Sequence, residues 1–220
     1  MAGFLVRKSD RVADRFMDEM DEQWEIAPIE RFPTVGTQLN VVLTAMTISL
    51  YRALIHENVP PDHAAELTAD IVWHFYALGG RVVHGLAGVR TQEPHRRMVT
   101  ALRMLLRFPF GSPGRPAYEV EVGDLDGKFL TTWTWCPPQA YVRELIEAQG
   151  DRGELAVFRR SWCAFDWAFN DLLAGGSGCY QRPHTMSDGD PYCDMTWQVV
   201  DAPRRRVLVE ERTGNTSAAE

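Results

Sequence analysis

The 220-residue chain carries a formal net charge of −7, with 45% hydrophobic and 24% charged residues. This composition is that of an ordinary globular protein with enough residues to bury a core as one domain, and it excludes the fibrous and disordered classes. The acidic balance also disfavours a general attraction to nucleic acid or to an anionic membrane surface, so the expected partners are a small-molecule substrate or a second copy of the chain.

The N-terminal stretch MAGFLVRKSD has no apolar signal core, and no later segment offers about 18 uninterrupted apolar residues for a membrane span. The chain has four cysteines, and because it lacks a secretory signal we expect them to be reduced thiols rather than a disulfide framework. They are Cys136, Cys163, Cys179 and Cys193. The sequence thus predicts a cytoplasmic protein whose free thiols are available for chemistry.

The first half of the sequence has the pattern of a helical layer. Ser9-Asp10 is a candidate N-cap for a helix that runs to about Trp24, and the broadly apolar segment from Gln38 to Glu57 predicts a buried central helix. Pro60-Pro61-Asp62 then opens a third helix, which Gly79-Gly80 weakens. A fourth helix is predicted from about Glu93 to Arg107.

A Pro/Gly-rich stretch from Pro109 to Gly114 marks a change to strands. Alternation from Tyr118 to Val122 and the aromatic and β-branched run from Lys128 to Trp135 predict a hairpin, with a turn in Gly123 to Gly127. Two helices follow, at about Pro138 to Ala148 and Gly153 to Ala174. Three strands are then predicted, at Cys179 to Thr185, Tyr192 to Val200 and Arg206 to Glu210.

Together these elements predict one α+β domain over residues 1–220. A helical half (1–108) packs on a mixed half (115–212), which contains a small, mainly antiparallel sheet and one long buried helix. Residues 213–220 are expected to form a frayed tail.

The helix predicted from Gly153 to Ala174 has two adjacent stripes when successive residues are placed about 100° apart. The apolar stripe should face the core and consists of Leu155, Phe158, Trp162, Phe165, Phe169 and Leu172. The polar stripe consists of Arg159, Cys163, Asp166 and Asn170, with Trp167 beside it. A polar stripe that borders a core face predicts a cleft lining. The alternative is a partly buried hydrogen-bond network that includes an Arg159–Asp166 contact.

Two further thiols are candidates for the same cleft. Cys193 and Asp194 begin a strand, and consecutive strand residues point to opposite faces, so only one of them can share a given site. The alternative there is a small buried cysteine and an exposed aspartate. Cys136 stands where a strand becomes a helix, so free helix N–H groups can lower its thiol pKa, although Pro137 and Pro138 remove some of those donors.

Three short motifs occur in order: Cys136-Pro137, Cys163-Ala164-Phe165-Asp166, and Gly189-Asp190-Pro191-Tyr192-Cys193-Asp194-Met195. This set resembles the L-2-amino-thiazoline-4-carboxylic acid hydrolase family, whose members show a Cys-Pro, a Cys-x-x-Asp and a terminal Gly-Asp-x-x-Cys-Asp-Phe pattern. The helix opening at Pro60 to Leu67 also suits the family's N-terminal half. Met195 departs from the family's aromatic, and Cys179 is an additional thiol. The resemblance implies opening of a cyclic amidine at a C–N bond, on a scaffold open to other ring chemistry in secondary metabolism.

An amidine carbon needs a nucleophile, and the departing nitrogen needs a proton donor. We therefore expect Cys163 to be the nucleophile, Asp166 its acid/base or orienting partner, and Cys193 or Asp194 a neighbour across the cleft. Arg182 or Arg159 is the expected cation for a substrate carboxylate. The remaining expected binding residues are Cys136, Trp167, Asn170 and His184.

Other interpretations stay open at this level. Cys163 and Cys193, with Cys136 and His184, are an alternative metal site, and Glu66, Asp70 and His74 are a second, weaker one. A non-catalytic binding module would use a stacking surface of tryptophans, namely Trp133, Trp135, Trp162 and Trp167. A lyase, cyclase or isomerase of a biosynthetic pathway is a third alternative. Nucleotide and hydride chemistry are disfavoured because no Walker loop, dinucleotide fingerprint, GxSxG or HExxH motif occurs, so no cofactor and no metal is expected.

Overall fold

Helices form the first half of the chain and a four-stranded antiparallel sheet forms the second, which confirms the predicted α+β class. The computed structural model describes residues 2–200, with side chains from residue 10 onward. The strand predicted at Arg206 to Glu210 and the tail predicted from Thr213 lie outside the described residues.

The first three helices are longer than predicted, and the fourth has nearly the predicted bounds. They are α1 (Ala2–Ile26), α2 (Val35–His56), α3 (Pro61–Arg90) and α4 (Pro94–Arg107). Ser9-Asp10 therefore lies inside α1 and is not its N-cap. The α3 helix also continues through Gly79-Gly80, because Gly80 is the point at which it packs closely on Phe169 and a side chain would not fit.

Helix α2 occupies the centre of the helical layer, in contact with α1, α3, α5 (Pro137–Gln149) and α6 (Glu154–Phe158). Thr34 caps it by accepting a hydrogen bond from the Thr37 N–H. By length and mean hydropathy (1.3) α2 is the one helix among the described residues that qualifies as a candidate membrane span, a possibility that the sequence interpretation did not include. However, 56% of its most apolar window is buried inside the fold, as is typical of a central core helix.

The sheet has the order β1-β2-β4-β3, with every neighbouring pair antiparallel. Its strands are β1 (Glu119–Leu125), β2 (Lys128–Trp135), β3 (Gly178–Gln181) and β4 (Cys193–Val199). The hairpin turn is shorter than predicted, with Asp126 and Gly127 at its centre, both at positive φ. The β3 strand ends at Gln181, and a 3-10 turn at Met186–Asp188 leads back to β4.

The helix predicted from Gly153 to Ala174 is present as one continuous helical segment, but a π-helical turn lies in its middle. It consists of α6 (Glu154–Phe158), a π-helical turn (Arg159–Cys163) and α7 (Phe165–Leu173), preceded by α5 (Pro137–Gln149). The π turn is closed by the Ala164 N–H, which donates to the Arg159 carbonyl at 2.8 Å, five residues earlier. One extra residue per turn changes which side chains face the core after this point.

A buried charge network joins α6 to two helices of the N-terminal layer. Arg52 of α2 donates to Glu154 at the start of α6 (2.8 Å) and to Glu19 of α1 (3.3 Å). All three side chains are at most 4% exposed. Because unpaired buried charges are costly, this network fixes where α6 begins relative to α1 and α2.

Candidate functional site

A cavity lies between the inner face of the sheet and the helices α3, α4 and α7. It offers about 110 Å³ to the centres of water molecules, which is room for several waters or one small organic molecule. Apolar and aromatic side chains form most of its wall. Polar groups are contributed by Tyr76, Tyr118, Thr131, Cys136, Gln139, Cys163, Asp166, Arg182, Ser187 and Cys193.

Strand alternation decides which residues of β4 reach the cavity. Cys193, Met195 and Trp197 line it, whereas Asp194 points away and accepts hydrogen bonds from the backbone N–H (2.8 Å) and ring (2.9 Å) of His184. The predicted exclusion between Cys193 and Asp194 agrees with this geometry. Asp194 and His184 therefore form a partly exposed pair outside the cavity.

The end of the π turn carries Cys163 to the cavity wall. Its thiol lies 3.5 Å from the Ser187 hydroxyl, in the 3-10 turn before β4. Its backbone carbonyl accepts a hydrogen bond from Arg182 Nη2 at 3.1 Å. Cys163 is thus contacted by two segments that follow β3, one at its thiol and the other at its backbone carbonyl.

Asp166 and Arg182 form a buried ion pair in the wall, with 2.7 Å between Nη1 and Oδ2. The Tyr180 hydroxyl donates to the same oxygen at 3.2 Å, and the Arg182 guanidinium stacks over Trp167 at 4.7 Å from the ring centroid. Burial raises the pKa of Asp166 to about 6, although Arg182 and Tyr180 both act to lower it. The carboxyl group therefore has both protonation states available near neutral pH.

All three cavity thiols are made less acidic by their surroundings. Burial raises the pKa of Cys163 to about 12, against smaller lowering effects of Ser187 and Arg182. Burial likewise raises the pKa values of Cys136 and Cys193. Cys136 is the N-cap of α5. Desolvation raises its pKa, and the nearby Gln139 N–H acts in the opposite direction. The predicted lowering effect of this helix terminus is therefore present, but burial outweighs it.

Two residues of the predicted polar stripe do not reach the cavity. Arg159 pairs with Asp188 at 2.9 Å and donates to the Ser187 carbonyl, so the predicted Arg159–Asp166 contact is absent. Asn170 is fully buried, and its amide has no hydrogen-bond partner among the described residues. The π turn accounts for Arg159, because it changes the angle between Arg159 and Asp166 from the one that a constant 100° spacing gives.

Several lining residues were not predicted from the sequence. Tyr76 reaches the cavity from α3, and its hydroxyl makes no hydrogen bond within residues 10–200. Thr131 of β2 accepts from the indole N–H groups of Trp133 and Trp197, each at 3.0 Å. The available signal was alternation in β2 and β4, which puts Thr131 and Trp133 on the same face as Cys193.

The alternative metal sites are not assembled. In the described part of the chain, no three His, Cys, Asp or Glu side chains are grouped so that they could hold an ion. Of the second set, Glu66 pairs with Arg160 at 3.2 Å, and the His74 ring contacts the Asp70 carbonyl at 2.8 Å. These residues are engaged in surface contacts of α3.

Comparisons of the chain with protein-family models, with curated proteins and with solved structures gave no match. The family resemblance of the three motifs accordingly stays a prediction. The functional interpretation rests on the contacts and charges of the cavity itself.

Proposed function

We propose that the protein is an enzyme that opens a small nitrogen-containing ring, with a cyclic amidine as the substrate class. One observation carries the proposal: the Cys163 thiol and the Asp166–Arg182 pair are neighbours on the wall of a largely apolar cavity. A nucleophile, a proton-transfer group and a cation are thus available around one bound molecule.

Asp166 supplies the proton transfer. A general acid or base is most effective when its pKa lies near the working pH, and the pKa of this carboxyl group is about 6. Arg182 and Tyr180 hold it in one orientation through the same oxygen atom. Asp166 therefore donates a proton to the departing ring nitrogen and recovers it in the hydrolytic step.

Cys163 needs activation, because very little thiolate exists at neutral pH when the pKa is about 12. A neutral amidine is itself a base, so its nitrogen takes the thiol proton and becomes a cation beside the new thiolate. The sulfur then bonds to the amidine carbon, and the ring C–N bond breaks as its nitrogen receives the Asp166 proton. Water finally attacks the same carbon, displaces the Cys163 sulfur and regenerates the thiol.

Arg182 is the cation best placed for a substrate carboxylate. It lines the cavity, and its Nε makes no hydrogen bond among residues 10–200. Arg159, the other predicted candidate, is engaged with Asp188 and is not part of the lining. A free donor on a buried guanidinium favours recognition of an anionic group.

The test is turnover of 2-amino-thiazoline-4-carboxylate by the wild type and by the Cys163→Ala, Cys163→Ser and Asp166→Asn variants. We expect each variant to lose at least about 100-fold in kcat/KM, as is typical when a nucleophile or acid/base group is removed. Cys179→Ala is the matched control, since Cys179 is also a buried cysteine but lies outside the lining. Full activity of Cys163→Ser would remove this residue as the nucleophile.

The product mass separates hydrolysis from the related chemistries. Hydrolysis adds one water to the substrate, whereas a lyase, a cyclase or an isomerase does not. A product with the same mass as the substrate would be compatible with catalysis at this site but would exclude hydrolysis.

A non-catalytic binding module is the second candidate, and the raised pKa values of all three cavity thiols favour it. Its stacking surface differs from the predicted one, because Trp133 and Trp162 line the cavity while Trp135 and Trp167 do not. Trp197 and Tyr76 take their places. Calorimetric binding of the same thiazoline without any change in its mass spectrum would favour this candidate over the enzyme.

A further inference from the structure

One face of α3 exposes a row of large apolar side chains to solvent. Their exposed fractions range from 46% to 86%. They are Ile71, Phe75, Leu78, Val82, Leu86 and Val89. At 100° per residue these six positions fall within an arc of about 80°, so they form one continuous stripe along most of the helix. Asp70, His74 and Arg81 are exposed along one border of the stripe.

The size of the stripe is that of an interface. With large apolar residues presenting on the order of 150 to 250 Å² each, the exposed fractions correspond to roughly 550 to 900 Å². The largest apolar patch on a typical monomer is about 300 to 600 Å², and each side of a standard interface buries about 800 Å². An apolar centre with a polar border is also the usual anatomy of such a surface.

The spacing of the stripe is self-complementary. Four of its six positions are symmetric about residue 80, since Ile71 mirrors Val89 and Leu78 mirrors Val82. The other two, Phe75 and Leu86, mirror Gly85 and His74. A two-fold axis at that point would place each residue opposite its mirror position on a second copy. Gly85 has open space where a Cβ would be, so it leaves room for the Phe75 ring of the other copy.

We propose that this stripe is the interface of a homodimer in which α3 packs antiparallel against α3 of a second copy. The opposite face of α3 contacts the helix that carries the site. Trp73 lies 5.1 Å from Phe165, and Tyr76 lies 4.7 Å from Phe169, between ring centroids. Dimerisation thus supports α3 from outside, while Tyr76 forms part of the cavity wall on the inside.

The first experiment is the mass of the full chain in solution, by light scattering after size exclusion. We expect twice the chain mass of 25.0 kDa for the wild type. The Phe75→Glu/Val82→Glu variant should have half that mass with an unchanged circular dichroism spectrum, because both residues are exposed. Val122→Glu is the control, since Val122 is similarly exposed on β1 and should leave the dimer intact.

The second experiment tests the antiparallel register by disulfide cross-linking. Positions 71 and 89 are separated by about 27 Å along one helix, but they meet across the two-fold axis. The Ile71→Cys/Val89→Cys double variant should oxidise to a covalent dimer, and neither single variant should. Cross-linking of the single variants would indicate a parallel pair and would overturn the arrangement.

If the wild type has the mass of a monomer at every concentration, the proposal is also overturned. Binding of that monomer to phosphatidylglycerol vesicles would assign the stripe to a lipid surface. A dimer that survives Phe75→Glu/Val82→Glu would place the interface elsewhere. None of these outcomes depends on turnover, so they are independent of the proposed chemistry.

Discussion

Alkylation of Cys163 is the most direct test of the electrostatics of the cavity. The pKa of this thiol is about 12, against an ordinary value of 9.0. Only the thiolate reacts with iodoacetamide, and each pKa unit changes its fraction about tenfold well below the pKa. Cys163 should therefore react about 1,000-fold more slowly than a free cysteine at pH 7.5, before any loss of access is counted.

The alkylation rate of Cys163 should also depend on pH and on the Ser187 hydroxyl, because both change the thiolate fraction. Between pH 7 and 9.5 it should rise about tenfold per pH unit without a plateau, because the thiol stays far from its midpoint. Ser187→Ala should slow the reaction further, since the Ser187 hydroxyl lowers the thiol pKa. Peptide mass spectrometry after timed alkylation identifies the modified cysteine.

The result that refutes this reasoning is specific. Reaction of Cys163 at the rate of a free cysteine, or a plateau below pH 9, would mean that burial does not control the thiol. A free-cysteine peptide provides the reference rate in the same sample. Bound 2-aminothiazoline would occupy the cavity beside the thiol, so it should slow alkylation of Cys163 in proportion to its occupancy.

Three further predictions concern stability. Arg52→Met should lower the free energy of unfolding by about 3 to 5 kcal/mol in urea titrations, because Glu19 and Glu154 lose a buried partner. Arg160→Ala is the control, since it removes an exposed ion pair and should cost less than about 1 kcal/mol. Gly80→Ala should destabilise the protein by about 1 to 3 kcal/mol in thermal melts, because the new Cβ would lie 2.5 Å from Phe169 Cε2. The adjacent Gly79→Ala has open space around the new Cβ and should stabilise the helix by about 0.5 to 1 kcal/mol. The pKa of Asp166 is raised in the folded state from 3.8 to about 6, so the native chain binds more protons than the unfolded one in that interval and loses stability as the pH rises through it. Relative to Asp166→Asn, the wild type should lose about 2 kcal/mol between pH 4 and 6 and about 3 kcal/mol over the whole transition, and equal slopes for the two proteins would contradict the shift.

Periodicity and alternation predicted much of the fold, because they report which residues face a core. The α+β class, the order of the elements and the division between Cys193 and Asp194 all follow from such patterns. Local propensity failed at Gly79-Gly80, where contact with Phe169 keeps α3 helical. Tertiary packing of this kind leaves no signal in the residues of the helix itself.

The site was predicted in part for the same reasons. Cys163 and Asp166 are three residues apart on either side of a helix junction, so their proximity was visible. The partners of Asp166 were not, because Arg182 follows β3 and its approach depends on a loop. Arg159 was misplaced relative to Asp166, since a constant 100° rotation cannot represent the π turn between them.

Because of the π-helical turn at Arg159–Cys163, the number of residues between α6 and α7 determines how the two helices are oriented. Removing one residue from it would restore continuous α-helix and rotate α7 by about 100° relative to α6, which Glu154 anchors to Arg52. Asp166 and Phe169 would then leave the wall, although no side chain in the cavity had been substituted. Natural variants of this protein are therefore expected to tolerate substitutions between Glu154 and Cys163 more readily than insertions or deletions.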